Sequence, residues 1–208
     1  MSHKNTYLSE VNLKETNPLL VSLSHLAQQQ NIPIIHPEGL AFLRQLIRLK
    51  EIVSILEIGT AIGYSSMGMA MVDSNIKIST IERNEERYLF AKNQIENSPY
   101  KDQITLYKGD ALTDDLGIEG PFDMIFIDAA KAQNRTLFER YESLLSKRGI
   151  IVVDNLLFHE IVGTKPASRN LRALIRKIDE FNHYIVKRED YHTYLYPIGD
   201  GMSLSIKR

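Results

Sequence analysis

Short apolar runs rich in β-branched residues alternate along the chain with longer segments of helical spacing. The apolar runs cover residues 53–58, 76–81, 104–107, 124–127 and 150–153. Each is predicted to be a strand buried on both faces, because parallel strands covered by helices are apolar throughout. The helical segments between them cover 64–72, 85–96 and 135–145. This alternation predicts a doubly wound α/β fold with a mainly parallel sheet and helices on both faces.

The two ends of the chain depart from this alternation. Residues 1–50 are predicted to form a helical cover, with Pro18 and Pro37 near two helix starts. A helix with one apolar face is predicted after the fifth strand, followed by strands 191–198 and 202–206. Gly199-Asp200-Gly201 has the composition of a hairpin turn, so the seven-stranded sheet should end in an antiparallel pair. Asn84 is predicted to cap a helix, and Gly149 to end one. No linker is visible, and we expect one domain over residues 1–208.

Composition narrows the possible classes of protein. The chain has 208 residues, 25 of them basic and 26 acidic, so its formal net charge is -1. This charge excludes a strongly basic protein that wraps nucleic acid. It has no cysteine, which excludes disulfides, thiolate metal ligands and cysteine nucleophiles. No apolar window is long enough to span a membrane, and the first residues lack a signal-peptide core. We expect a cytoplasmic protein.

The turn after the first strand is glycine-rich. It contains Glu57, Gly59 and Gly63 and leads into a helix, a geometry that brings backbone close to a ligand. The dinucleotide fingerprint is not met, because Ala61 stands where its second glycine belongs. Glu57 disfavours a pyrophosphate and could face a cationic or hydrogen-bond-donating ligand. Ser65 is either a helix-start cap or a cofactor hydrogen-bonder.

Two further strand ends are suited to a nucleoside. The second strand ends at Glu82, where a carboxylate can accept hydrogen bonds from a ribose diol. The third ends at Gly109-Asp110-Ala111, a turn at the same edge of the sheet. Each feature alone could be a tight turn or a solvated cap. Three in register indicate a nucleoside cofactor site.

Oxygen ligands follow the fourth and fifth strands. Asp128 comes directly after one, and Asp154 and Asn155 after the other. Adjacent strand ends meet at the carboxyl edge, so two carboxylates and one amide should converge. Such a set suits Mg²⁺ or Mn²⁺, although a single aspartate after a strand is often only a helix cap. Lys131 beside them could act as a general base, or could be a surface lysine at a helix start.

These residues resemble the metal-dependent O-methyltransferases of the catechol and caffeoyl-coenzyme A type. The matching stretches are LEIGTAIGYSS, IERNEERYLFAKNQI, GDAL, FDMIFIDAAKAQ, GIIVVDNLLF and PIGDGMSLS. The resemblance implies a class I methyltransferase (Rossmann-like) fold, S-adenosylmethionine as cofactor and a homodimer. A homodimer is also expected because the sheet core looks complete without the apolar residues of the predicted N-terminal helices, such as Leu19, Leu20, Leu23 and Leu26. It also implies the role of each site residue. The metal ligands would be Asp128, Asp154 and Asn155, the catalytic residues Lys131 and Asp128, and the cofactor-binding residues Ile35, Glu57, Gly59, Ser65, Glu82, Asp110, Ala111 and Asp128.

Within that family the stretches GTAIGYS, IERNEER, DNLLF and PIGDG are most similar to bacterial tRNA 5-hydroxyuridine methyltransferases. That subfamily methylates a modified wobble uridine to 5-methoxyuridine, which implies a tRNA anticodon loop as partner.

The predicted helix after residue 168 carries a cluster of positive charge. Seven basic residues lie between Lys165 and Arg188, and the candidate RNA-binding residues among them are Arg169, Arg172, Arg176 and Lys177. From charge alone, such a pattern is more typical of a solvated helix flank. An aromatic surface for a base could come from Tyr64, Phe158 and Tyr191. Three hypotheses therefore stay open: a tRNA-modifying enzyme, a small-molecule catechol or phenol methyltransferase, and a cofactor-binding module without turnover.

Overall fold

The computed structural model describes residues 7, 10–129, 131–158, 161–164 and 168–208. These residues form seven strands: β1 Ser54–Ile58, β2 Lys77–Glu82, β3 Ile104–Lys108, β4 Phe122–Ile127, β5 Leu145–Val153, β6 Tyr191–Tyr196 and β7 Met202–Lys207. The helices are α1 Pro18–Gln30, α2 Pro37–Lys50, α3 Tyr64–Ala70, α4 Glu85–Glu96, α5 Asn134–Tyr141 and α6 Arg169–Val186. Short 3-10 helices cover Lys131–Gln133 and Glu142–Leu144.

All seven strands belong to one sheet, in the order β3-β2-β1-β4-β5-β7-β6. The first five are parallel. Strand β7 runs antiparallel to both β5 and β6, as the predicted hairpin requires. The predicted mixed sheet is therefore confirmed. The strand order reverses between β1 and β4, and such switch points are where ligands bind in open α/β sheets.

Local sequence signals set the helix starts. The Asn17 side chain accepts hydrogen bonds from the first turn of α1, and Pro18 occupies the first helical position. Pro37 begins α2 in the same way. Asn84 caps α4 by accepting from the backbone N–H of Arg87, as predicted. Ser168 does the same for α6. The helical cover expected over the first 50 residues therefore consists, within the described part of that segment, chiefly of α1 and α2.

Helices pack on both faces of the sheet. On one face, α3 and α4 pack on the sheet and α1 and α2 pack on α3, which buries Leu20, Leu43 and Met67 in one shared core. On the other face, α5 and α6 pack around Phe138 and Phe181. The buried face of α6 contains Ile175, Ile178, Phe181 and Ile185, which confirms the apolar stripe read from the sequence.

Gly149 does not end a helix, which corrects the prediction. Strand β5 begins earlier, at Leu145, and Gly149 lies inside it. Phe122 pairs with Leu145 while Met124 pairs with Ile150, so the ladder contains a bulge over these residues. Arg148 has a φ of 63°, a left-handed conformation that lets the strand absorb the extra residues. A glycine after two basic residues suits a bulge as well as a helix end.

Two leucines of α1 that suggested a subunit interface belong to the core of the chain itself. Leu20 and Leu23 are buried under the helical cover. Their apolar character is thus explained without a partner. Among the described residues, no helix is both long enough and apolar enough to cross a membrane.

Candidate active site

A cavity of about 870 Å³ opens at the carboxyl edge of the sheet, beside the β1–β4 switch point. Its volume is in the range of pockets that enclose a cofactor-sized ligand. The predicted site residues that line it are Ile35, Gly59, Ser65, Glu82, Asp110, Ala111, Asp128, Lys131, Asp154 and Asn155. The fold therefore brings together residues that are 120 positions apart between Ile35 and Asn155.

The glycine-rich turn lies against the end of β4. Gly59 has a φ of 108°, and a Cβ there would stand 2.0 Å from the carbonyl oxygen of Asp128. Gly63 has a φ of 85° and precedes α3. Backbone N–H groups of Gly59 and Thr60 both donate to the carbonyl of Ile81, which ties the turn to β2. Only glycine fits at position 59, because backbone blocks the space that a side chain needs.

Glu57 lies behind this turn and is not part of the cavity lining. Its side chain is fully buried and accepts hydrogen bonds from the hydroxyls of Ser65, Ser66 and Thr80. Burial raises the pKa of the Glu57 carboxyl, and the three hydroxyl donors oppose that rise. In this arrangement Glu57 holds α3 against β1, which corrects the expectation that it faces the ligand. Ser65 does not cap the helix as one of its two predicted roles required, because Gly63 is the N-cap residue of α3 and the Ser65 hydroxyl donates to Glu57 instead. Ser65 also lines the cavity, a position compatible with the other predicted role, a hydrogen bond to the cofactor.

Glu82 connects the glycine-rich turn to the cavity. One carboxylate oxygen accepts from the backbone N–H of Ala61 at 2.9 Å, and the other from that of Asn84 at 2.8 Å. The side chain is 7% exposed, and what is exposed faces the cavity. Each carboxylate oxygen has lone pairs left for ribose hydroxyls.

Replacing Glu82 with alanine should weaken cofactor binding. The change removes the acceptor for a ribose diol and the bond to the turn at Ala61. Losing hydrogen bonds to a charged group costs about 1.5–3 kcal/mol, or about 10- to 150-fold in the dissociation constant. Isothermal titration with S-adenosylhomocysteine measures this. Unchanged affinity in a folded variant would contradict the role of Glu82.

The turn after β3 is braced from α5, a feature that the sequence did not indicate. Asp110 and Ala111 line the cavity. The guanidinium of Arg140 donates to the carbonyls of Leu112 and Asp114, at 2.6 Å each. The hydroxyl of the next residue, Tyr141, donates to the carbonyl of Ala111 at 3.0 Å. Helix α5, which packs on the sheet face opposite to α3 and α4, thus holds this wall of the cavity in place.

The predicted metal ligands lie together on the opposite wall. The Asn155 side-chain amide donates to Asp128 at 2.7 Å, and its backbone N–H donates to Asp154 at 2.6 Å. The pKa of the Asp154 carboxyl is raised, first by its burial and second by the negative charge of Asp128. Burial, with the charge of Asp200 as a further contribution, raises the pKa of Asp128. Burial and mutual repulsion make the two negative charges energetically unfavourable here, and a bound cation would offset both. The donor set, two carboxylates and an amide oxygen, fits a hard divalent cation.

Lys131 faces this acidic wall. Its Nζ lies 3.4 Å from Asp200 Oδ2 and 4.4 Å from the centre of the Phe158 ring. Asp200 is 6% exposed and lines the cavity. It was predicted only as the middle residue of the hairpin turn. An acidic residue between two glycines is so typical of turns that its part in the site gave no separate signal.

The chain is similar to known methyltransferases along most of its length. The profile of the O-methyltransferase family matches residues 10–208. The chain belongs to the O-methyltransferase family. A catechol O-methyltransferase of Niastella koreensis is 30% identical over 96% of this chain and 94% of its own. Caffeoyl-CoA O-methyltransferase 1 of Eucalyptus globulus is 30% identical over 78% of this chain and 70% of its own.

Solved structures place this methyltransferase among proteins of the same fold. A Staphylococcus aureus protein provisionally described as a caffeoyl-CoA O-methyltransferase is 36% identical, with a TM-score of 0.93 and full coverage of both chains. An O-methyltransferase of Bacillus cereus, solved with S-adenosylhomocysteine, shares the fold at 24% identity and a TM-score of 0.80. It covers 99% of this chain and 97% of its own. The class I methyltransferase fold predicted from the motifs is therefore confirmed.

The aromatic residues proposed for substrate stacking occupy different places in this O-methyltransferase. Tyr191 is buried in the core against Phe138, with ring centres 5.4 Å apart, so it is not available to a substrate. Tyr64 is buried but lines the cavity. Phe158 is partly exposed next to Lys131. Tyr191 was misassigned because a strand of alternating aromatic residues does not itself show which face is buried.

The predicted RNA-binding residues of the O-methyltransferase lie outside the cavity, on the exposed side of α6. Arg169, Arg172, Arg176 and Lys177 are all exposed. Arg176 lies 3.6 Å from Glu180 in an exposed ion pair, which adds little stability. Arg188, counted with this cluster in the sequence, is instead engaged by Glu142 and Asp190. Lys165 lies outside the described residues.

Proposed function

We propose that this O-methyltransferase uses S-adenosylmethionine and a divalent cation, Mg²⁺ or Mn²⁺, to methylate 5-hydroxyuridine at the tRNA wobble position, giving 5-methoxyuridine. One observation carries the methyl-transfer part. The nucleoside-type acid Glu82, the acidic wall and Lys131 line a single cavity. The S-adenosylhomocysteine held by the Bacillus cereus protein of the same fold supports the choice of cofactor.

In this proposal the ribose of the cofactor binds to Glu82, and adenine lies by Asp110 and Ala111. Ile35 is buried and lines the cavity on the side of the helical cover, where it would contact the methionine end of the cofactor. Gly59 allows the backbone to approach the ligand closely. The opposite wall is left for the metal and the methyl acceptor.

The chain's own residues divide the chemistry as follows. Asp128, Asp154 and Asn155 would hold the metal, which supplies positive charge that favours loss of a proton from the acceptor hydroxyl. Lys131 takes that proton on its uncharged amine. The acceptor oxygen then attacks the methyl carbon in line, the carbon–sulfur bond breaks, and S-adenosylhomocysteine leaves with the electron pair on sulfur.

The 5-hydroxyl of the modified uracil suits this arrangement. It is enol-like and adjoins the C4 carbonyl, so the base offers two neighbouring oxygens as catechol does. A wobble base is unpaired, so presenting it in the cavity costs little. The exposed basic residues of α6 could bind the phosphates of the anticodon stem-loop.

A small phenolic acceptor is the second candidate. It is favoured by the Niastella koreensis relative, a catechol O-methyltransferase that aligns over nearly the whole chain. The two candidates share every proposed catalytic residue.

The experiment that separates them is nucleoside mass spectrometry of tRNA from a deletion strain. We expect 5-methoxyuridine to disappear, 5-hydroxyuridine to accumulate, and the purified enzyme to methylate that tRNA in vitro. A full level of 5-methoxyuridine in the deletion strain, with efficient methylation of catechol in vitro, would favour the small-molecule acceptor.

Reversing the charge of Arg172 and Arg176 should affect tRNA but not a small acceptor. The double substitution to glutamate replaces two candidate phosphate contacts with repulsion. Losing two phosphate contacts should reduce, by about 2, the slope of the logarithm of tRNA affinity against the logarithm of salt concentration. It should also raise the KM for tRNA by about 10-fold or more. Turnover of catechol should be unchanged. The matched control is the charge reversal of Arg48, an exposed arginine of α2. An equal effect of both variants would contradict a specific RNA surface on α6.

We also propose that the enzyme is a homodimer. Leu20 and Leu23 cannot contribute because they are buried in the core. Exposed apolar side chains elsewhere could form the interface, among them Leu49 of α2, Val53 just before β1 and Tyr194 of the edge strand β6. Light scattering should give twice the chain mass at micromolar concentration, and a constant monomer mass would refute the dimer.

A further inference from the structure

The turn between β6 and β7 holds an acidic side chain that the proposed chemistry does not use. Asp200 is 6% exposed, and its carboxylate lies in the wall of the cavity beside Asp128 and Asp154. A buried carboxylate is costly unless it has partners. The Lys131 ammonium is one such partner, at 3.4 Å.

The backbone of this turn is fixed to the segment that follows the metal ligands. The carbonyl of Asp200 accepts from the N–H of Leu157 at 2.8 Å, and that of Gly201 accepts from Leu156 at 2.9 Å. Gly201 has a φ of 86°, and a Cβ there would stand 2.9 Å from the backbone nitrogen of Leu157. The turn therefore cannot shift without moving the segment next to Asn155.

Lys131 lies between two groups that restrict its flexible side chain. Asp200 accepts a hydrogen bond from its nitrogen, which the amine can donate in its charged and in its uncharged form, and the ring of Phe158 lies 4.4 Å from the same nitrogen. The Lys131 side chain is 22% exposed. A lysine has four rotatable bonds, and holding its nitrogen in place costs side-chain entropy that ionic and cation–π contacts can offset.

We infer that Asp200 is a positioning residue that holds the Lys131 nitrogen at the acidic wall, where the acceptor hydroxyl must be deprotonated. The inference rests on the proposed role of Lys131 as base. Asp200 acts through Lys131 and is not itself required as a metal ligand. The hairpin thereby contributes to catalysis from the far end of the chain, 69 residues from Lys131.

A double-mutant cycle tests this. The turnover number is measured for the wild type, Asp200→Ala, Lys131→Ala and the double variant, with saturating S-adenosylmethionine and Mg²⁺. Both 5-hydroxyuridine tRNA and catechol serve as acceptors. We expect Asp200→Ala to lower kcat by about 10- to 100-fold, as for a lost charge-assisted hydrogen bond, with KM for S-adenosylmethionine unchanged. In the Lys131→Ala background the same change should alter kcat by less than about 2-fold. Asp200→Glu, which keeps the charge, should retain more activity than Asp200→Ala.

Four readouts separate this role of Asp200 from other roles. Asp190→Ala removes another ion-paired aspartate at the opposite end of the same hairpin and should leave kcat unchanged. Equal losses from Asp200→Ala in both backgrounds would overturn the inference, as would a more than 10-fold weaker binding of Mn²⁺ measured by titration. If Lys131→Ala alone leaves kcat unchanged, the proposed base is wrong and the inference fails with it. If Lys131→Ala lowers kcat strongly but leaves measurable turnover, and the effects are additive, only the inference fails. Should Asp200→Ala not fold, Asp200→Asn replaces it in the cycle.

Discussion

Replacing Asp154 with alanine is expected to reduce methyl transfer by at least about 1,000-fold while leaving cofactor binding intact. Asp154 is 5% exposed and lies on the acidic wall, where its carboxylate accepts a hydrogen bond from the backbone N–H of Asn155. Its hydrogen bonds, to Ile127 and Asn155, are separate from the bond that joins Glu82 to the turn at Ala61. Removing one of two charged ligands should abolish productive metal binding, which contributes several kcal/mol to such reactions. Turnover and S-adenosylhomocysteine titration measure the two effects separately.

Removing the metal with a chelator tests the same metal-dependent mechanism independently of any substitution. EDTA should remove activity from the wild type, and Mg²⁺ or Mn²⁺ should restore it, because all proposed ligands are oxygens. Asp154→Asn, which keeps an oxygen donor but loses the charge, should fall between wild type and Asp154→Ala. Full activity after exhaustive EDTA treatment would refute the metal-dependent mechanism.

The second large effect is expected at Gly59. An alanine there must adopt a φ near 108° with its Cβ 2.0 Å from the carbonyl oxygen of Asp128. Relief would require the glycine-rich turn to move away from β4, which also breaks its bonds to the Ile81 carbonyl. We expect a loss of about 3–5 kcal/mol in the free energy of unfolding and a melting temperature about 10 °C lower. S-adenosylhomocysteine binding should become undetectable by titration.

Gly117 offers the matched control. It also has a positive φ, 62°, but a Cβ there would meet no heavy atom within 4 Å. Gly117→Ala should therefore cost only the backbone strain of a left-handed residue, about 1–2 kcal/mol, and leave ligand affinity unchanged. A Gly59→Ala variant that melts and binds like Gly117→Ala would show that the turn tolerates a side chain.

The sequence by itself determined the order of the elements, because each signal is local. Alternating apolar runs predicted the strands, and Asn84 capped the helix it was expected to cap. The strand-end acids were also predictable. In a parallel sheet, residues that follow successive strands must meet at one edge, so Glu82, Asp128 and Asp154 could be assigned to a common site before any distance was known.

Tertiary structure alone decided which polar groups face the ligand and which support it. From the sequence, Glu57 was expected to face the ligand and Asp200 only to form a turn, but in the structure their positions are exchanged. The acid in the glycine-rich motif is buried among hydroxyls, and the acid in an ordinary hairpin turn binds Lys131. The same holds for Tyr191, which is buried in the core, and for Arg140, which braces the turn at Leu112. The physical reason is that backbone periodicity follows from neighbours in sequence, whereas the burial and partner of a side chain depend on elements that arrive from distant parts of the chain.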